Sequence, residues 1–141
     1  MRWLLPLVWL PAMQGCASLK PVPLAPIFAQ AADVAKQLQE ANDKHDADVK
    51  ASLKALVLAS CPAEPVERRR CALAIAGQVM ETAMWRDTLL NALTAHYNDA
   101  KRALATAQAC RAQGDEVCVE AQRKDAAEHL ARIEAELRVK P

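Results

Sequence analysis

The chain is short of almost everything that marks an enzyme or a nucleic-acid binder. Its 141 residues carry 18 Lys and Arg against 17 Asp and Glu, so neither sign is in excess and no nucleic-acid partner is expected. Three glycines, at positions 15, 77 and 114, exclude a Gly-rich phosphate loop. Three histidines, His45, His96 and His129, are all that could act as bases near neutral pH. No Ser-His-Asp candidate set and no pair of carboxylates in a cleft can be assembled around them. Aromatic residues make up 4% of the chain, and strand formers never occur in runs, which argues against a sheet. Beyond the first fifteen residues no apolar run is long enough to span a bilayer. Catalysis is therefore not expected, and neither is a cofactor or a bound metal.

What is present begins with a leader. Met1 and Arg2 precede "WLLPLVWLPAM", one positive charge followed by an apolar run too short to cross a membrane as a helix, and the small residue Gly15 closes it. Residues 1–15 thus read as a secretory signal peptide. "MQGC" ends the run and resembles the lipobox of bacterial lipoproteins, in which a small residue precedes a cysteine that is acylated and becomes the new N-terminus. Cys16 is the matching position, with Met13 and Gln14 where that family usually has leucine and a small residue. The resemblance covers residues 1–16 only. It implies a lipid anchor, and Ala17, in place of the aspartate that marks inner-membrane retention, implies the periplasmic face of the outer membrane. More than one acyl chain suffices for stable anchoring. The alternative is an ordinary secretory leader cut nearby, leaving Cys16 a free thiol. Residues 16–26, "CASLKPVPLAP", read as a tether in which Pro21, Pro23 and Pro26 favour an extended spacer of roughly 3 Å per residue. Removing Arg2 with the leader leaves 17 basic residues against 17 acidic ones.

Residues 27–141 are rich in Ala, Leu, Gln, Glu, Lys and Arg, with Pro62, Pro65 and Pro141 the only prolines. These are helix formers, so the fold class is all-α. The punctuation predicts three helices. The first runs from Ile27 to Ser60 with a stripe at Ala31, Val34, Leu38 and Ala41, then a slip to His45, Val49, Leu53 and Leu56. "SCPAEPVERRRC" interrupts it. The second runs from Glu67 to Cys110 with Ile75, Val79, Ala83, Leu90, Leu93, Tyr97, Ala100, Leu104 and Ala107 on one side, provided that Gly77 does not break it. "CRAQGDEVC" turns the chain again, and the third helix, Glu116 to Val139, starts at an Asp115 N-cap and presents Val119, Ala126, Leu130, Ile133 and Leu137. Short connections make neighbours antiparallel, giving an elongated up-down-up three-helix bundle.

Four cysteines remain besides Cys16, an even number that in an exported chain reads as two disulfides. Cys71 and Cys110 stand at opposite ends of the second helix, roughly 58 Å apart by helical rise, far beyond what a disulfide spans. Cys61 with Cys71 and Cys110 with Cys118 is the only pairing left. Each bridge staples one interhelix turn. Their spacings are not those of zinc knuckles.

His96 and His129 fall at nearly the same height on the second and third helices, beside Tyr97; without the carboxylate partners that a ligand histidine normally has, both read as half-exposed surface residues, the alternative being a shared metal or acid-base role. His45 falls near the height of Asp87, roughly 14 Å along the bundle from His96. The functional surface is expected elsewhere. The third helix is shorter than the second and covers it only back to about Thr88, so the distal part is a two-helix hairpin. That part is the most apolar of the chain, and it cannot bury Leu73, Ile75, Val79, Met80, Met84 and Trp85 all at once. An apolar patch left open marks an interface, here for a second copy or a helical protein partner. At the distal tip Arg68, Arg69 and Arg70, beside Lys140 should the third helix reach so far, suit an anionic partner such as peptidoglycan. The expectation is a structural or protein-interaction lipoprotein; the alternative is a phage or plasmid accessory lipoprotein of spanin-like lysis or superinfection exclusion.

Overall fold

The computed structural model describes residues 20–139. Residues 1–19, which hold Cys16, the expected leader and the first part of the expected tether, and Lys140 and Pro141 lie outside the described residues. Three helices follow one another: α1 (Ala25–Ser60), α2 (Pro65–Ala112) and α3 (Glu116–Arg138). No strand occurs among the described residues. Gly77 does not interrupt α2, because a solvent-facing glycine lowers helix propensity without removing a backbone donor.

Both turns are specified by local chemistry. Glu64 caps α2, its carboxylate accepting from the N–H of Val66 at 3.1 Å and of Glu67 at 2.7 Å, while Pro65 fills the first helical position, where a missing N–H costs nothing. The Glu67 bond, then the Val66 bond, hold the Glu64 carboxyl below the ordinary glutamate value. At the other end Gly114 takes the left-handed conformation, φ 76°. Its N–H bonds the Arg111 carbonyl at 3.0 Å and that of Asp115 reaches the Cys110 carbonyl at 3.0 Å, the paired closure of a Schellman motif. Asp115 then turns from ending one helix to starting the next, accepting from the Cys118 N–H at 2.9 Å. Each turn carries a disulfide: Cys61–Cys71 with Cα atoms 5.7 Å apart, and Cys110–Cys118 at 5.8 Å.

The core is a band of small and branched residues where all three helices meet. Ile27, Ala31, Val34 and Leu38 of α1 pack against Leu90, Leu93, Ala100, Leu104 and Ala107 of α2 and Val119, Ala126, Leu130 and Ile133 of α3. Alanines at the contact layers let the helices approach closely but bury little area each, so the larger side chains carry the hydrophobic stabilisation. Truncating fully buried Leu130 to alanine should cost about 2–5 kcal/mol.

Apart from Val79, burial stops where α3 stops. On α1 the stripe continues through Ala41, His45, Val49 and Leu53, yet these are only half-buried and Leu56 is exposed, because no third helix closes over them. α1 and α2 still keep register. Cys61 lies 16 residues from His45 on α1, Cys71 lies 16 from Asp87 on α2, and His45 Nε2 meets Asp87 Oδ1 at 2.7 Å. The first residues of α2, Pro65 to Arg70, therefore overhang the end of α1.

At the opposite end the tether differs from a free spacer. Helix α1 starts at Ala25, before Pro26, and the preceding residues dock on the α2–α3 turn. Leu24 is buried, the Val22 N–H donates to Glu116 Oε2 at 3.0 Å, and the Arg111 guanidinium donates both to the Val22 carbonyl and, bidentately at 3.2 and 3.0 Å, to Glu116. Prolines favour extension, but an extended backbone also leaves its N–H and C=O groups free to bond a neighbour.

Candidate functional site

The distal half of the α1–α2 hairpin, beyond Leu90, contains a single buried apolar side chain, Val79 at 7% exposure. Of the six apolar residues that the hairpin is expected not to bury all at once, four lie open and two do not. Ile75 and Val79 turn toward α1, half-buried and buried, and form the hairpin's own seam. Leu73, Met80, Met84 and Trp85 point outward, each about 60–70% exposed. At about 100° per residue, Val79 and Ile75 fall on the α1-facing side, and the other four cannot share it.

The exposed residues form two distinct features. Val66, Leu73, Met80 and Met84 lie on one line of α2 at spacings of seven, seven and four, turned about 100–140° from Val79. Gly77 falls on the same line, four after Leu73 and three before Met80, and a Cβ built there would meet nothing within 4 Å. These are the spacings of a coiled-coil seam with no partner helix on it. Trp85 lies on the other flank of α2, where with Leu56, Val49 and Val79 it lines a groove of about 430 Å³ between α1 and α2, His45 at one end.

Of the three tip arginines, Arg68 is half-buried and Arg69 and Arg70 are exposed. None is within ion-pair distance of a carboxylate among the described residues, and Arg68 Nε is enclosed without an acceptor there. Helix α3 ends at Arg138, alongside the part of α2 near Leu90, about 30 Å of helical rise short of these arginines.

Midway along the three-helix half, His96 and His129 meet as their heights imply, Nδ1 to Nδ1 at 3.0 Å, with ring centroids 5.2 Å apart. Carboxylates do accompany them. Asp99, one turn along α2 from His96, has an oxygen within 4.8 Å of ligand atoms of both rings, and Asp125 Oδ1 lies 3.8 Å from His129 Nε2. The spacings His-x2-Asp on α2 and Asp-x3-His on α3 carry that signal in the sequence, but it becomes a constellation only through the register of the two helices. No family model, no curated protein and no solved structure matches this chain.

Proposed function

We propose that the protein is a lipid-anchored interaction module of the periplasmic face of the outer membrane. Its working surface is the α2 stripe of Val66, Leu73, Met80 and Met84, and the partner is a second copy of the chain. The anchor rests on the "MQGC" resemblance at Cys16. One observation carries the interaction: five positions at seam spacing, four of them large apolar side chains about 60–70% exposed, on a helix that has no third neighbour at that level.

Charge and shape favour a second copy. Two α2 helices crossing antiparallel at Gly77 bring together residues whose numbers sum to about 154. Arg69 of one copy then comes opposite Asp87 of the other on one flank of the stripe, and Arg70 approaches Glu81 on the other flank. Glycine at the crossing point permits the closest approach of the two backbones. Leu73 packs beside Met80 across the interface, and methionine adapts to such a surface. The two hairpins would complete a four-helix arrangement in which each supplies what the other lacks. The groove at Trp85 remains open on the far flank.

Two experiments test this reading. Cys16→Ala should release the protein from the outer-membrane fraction, and unchanged fractionation would remove the anchor from the account. A photo-crosslinking residue at position 80, in cells, should yield an adduct of twice the monomer mass that the same residue at exposed position 108 does not. Equal adducts at both positions would remove the stripe.

A further inference from the structure

We propose that His96, His129 and Asp99 form a three-ligand site for a divalent transition metal of the zinc and copper class, bridging α2 to α3 at mid-bundle. Two nitrogens bound to one such ion are separated by about 3.3 Å in tetrahedral geometry, at about 2.0–2.1 Å from the metal, or about 2.9 Å at a right angle. The observed Nδ1 to Nδ1 distance of 3.0 Å lies within that interval, so an ion can enter between the rings with little movement of either helix. Asp99 must close in by up to about 1.5 Å from its present range of up to 4.8 Å to reach tetrahedral ligand separations. That movement breaks its ion pair with Arg102, whose side chain is 78% exposed, and an exposed pair contributes little to stability.

The tautomers agree with this assignment. Asp125 lies on the Nε2 side of His129 and favours the N–H there, which leaves the Nδ1 lone pair facing His96. With that tautomer of His129, the metal-free contact has the His96 Nδ1–H donating to the lone pair; on binding metal His96 takes its other tautomer, the proton moving through solvent from Nδ1 to Nε2, and both Nδ1 atoms become ligands. Asp125 is a positioning residue. The remaining coordination positions open onto a shallow groove of about 340 Å³ between α2 and α3, where Thr106 and Gln122 stand and water can complete the shell. Two imidazoles and one carboxylate are the donor set of zinc, copper and nickel rather than of magnesium or calcium.

Calorimetric titration of the chelator-treated mature chain with zinc chloride and with copper sulfate tests the site. One ion should bind per chain, with magnesium and calcium chlorides giving no heat, and the thermal midpoint should rise with metal concentration. His96→Gln or His129→Gln should abolish the saturable heat, Asp125→Asn should weaken binding about 10–100-fold, and His45→Gln should change nothing. The imidazole nitrogen resonances of His96 and His129, and not those of His45, should shift on titration. Helicity by circular dichroism checks that each variant folds; the Asp125→Asn protein and the wild-type resonances decide the matter should a histidine variant fail to fold. Absence of saturable binding to either metal, or saturable binding that survives His129→Gln unchanged, overturns the proposal, leaving two hydrogen-bonded histidines.

Discussion

Removing the distal disulfide with Cys61→Ala and Cys71→Ala should loosen one half of the molecule and leave the other nearly untouched. The bridge closes a loop of sequence separation 10, for which the chain-entropy model gives about 2.7 kcal/mol. Beyond Leu90 only Val79 is buried, so little apolar burial holds the C-terminal half of α1 to α2 once the bridge is gone. The loss should therefore appear as local opening, with amide exchange accelerated about 100-fold for residues 46–60 and 71–86. Amides of the three-helix core should exchange as before. The proximal bridge behaves differently, because Cys110 belongs to the core cluster and its turn adjoins the docked tether. Cys110→Ala with Cys118→Ala should instead lower the global melting temperature, by about 10 °C for a similar free energy. Hydrogen exchange read by mass spectrometry on both variants separates the two outcomes. Uniform acceleration along the chain in the distal variant would refute the division into a cooperative core and a weakly held hairpin.

Two further outcomes follow from particular residues. Gly77→Ala should raise monomer stability by about 0.5–1 kcal/mol, since the added Cβ meets nothing within its own chain and the helix gains propensity, while weakening self-association by crowding the crossing point. Denaturation and sedimentation of the same variant should move in opposite directions. The Glu116 carboxyl is held below the ordinary glutamate value, first by the Arg111 guanidinium and then by the Val22 N–H. A depressed carboxyl contributes stability above the ordinary glutamate value and loses it as pH falls through the lowered one. Docking of residues 20–24 should therefore persist at neutral pH and be lost on acidification below the ordinary glutamate range. The protection of the Val22 amide reports this, and Glu116→Gln should abolish that step.

The fold was legible because its determinants are local. Proline and glycine punctuation, the Asp115 cap and the stripes at three and four set the helices to within two residues, and helix length alone forced the cysteine pairing. What depended on angle around a helix was less legible. Apolar composition alone grouped Ile75 and Val79 with Leu73 and Met80, whereas a helix puts them on different faces. Gly77 reads as a weak point in α2, whereas its place on the exposed seam depends on the angle it shares with Leu73 and Met84 around the helix. The docking of Val22 on Glu116 pairs residues 94 apart in sequence, and the Asp99 and Asp125 carboxylates meet the two histidines only through the α2–α3 register. No short-range pattern encodes the Val22 docking, and the His-x2-Asp and Asp-x3-His spacings each carry only half of the histidine cluster.

Sedimentation velocity of the soluble mature chain over a range of concentrations, beside Met80→Asp with Met84→Asp, bears most directly on the claim that the α2 stripe is an assembly surface. The wild type should pass from monomer to dimer as concentration rises, and the double variant should stay monomeric with unchanged helicity, because each aspartate would have to be desolvated in an apolar seam at a cost of about 2 kcal/mol or more. A wild type that sediments as a monomer at every concentration, or a double variant that dimerises as well as the wild type, would contradict it.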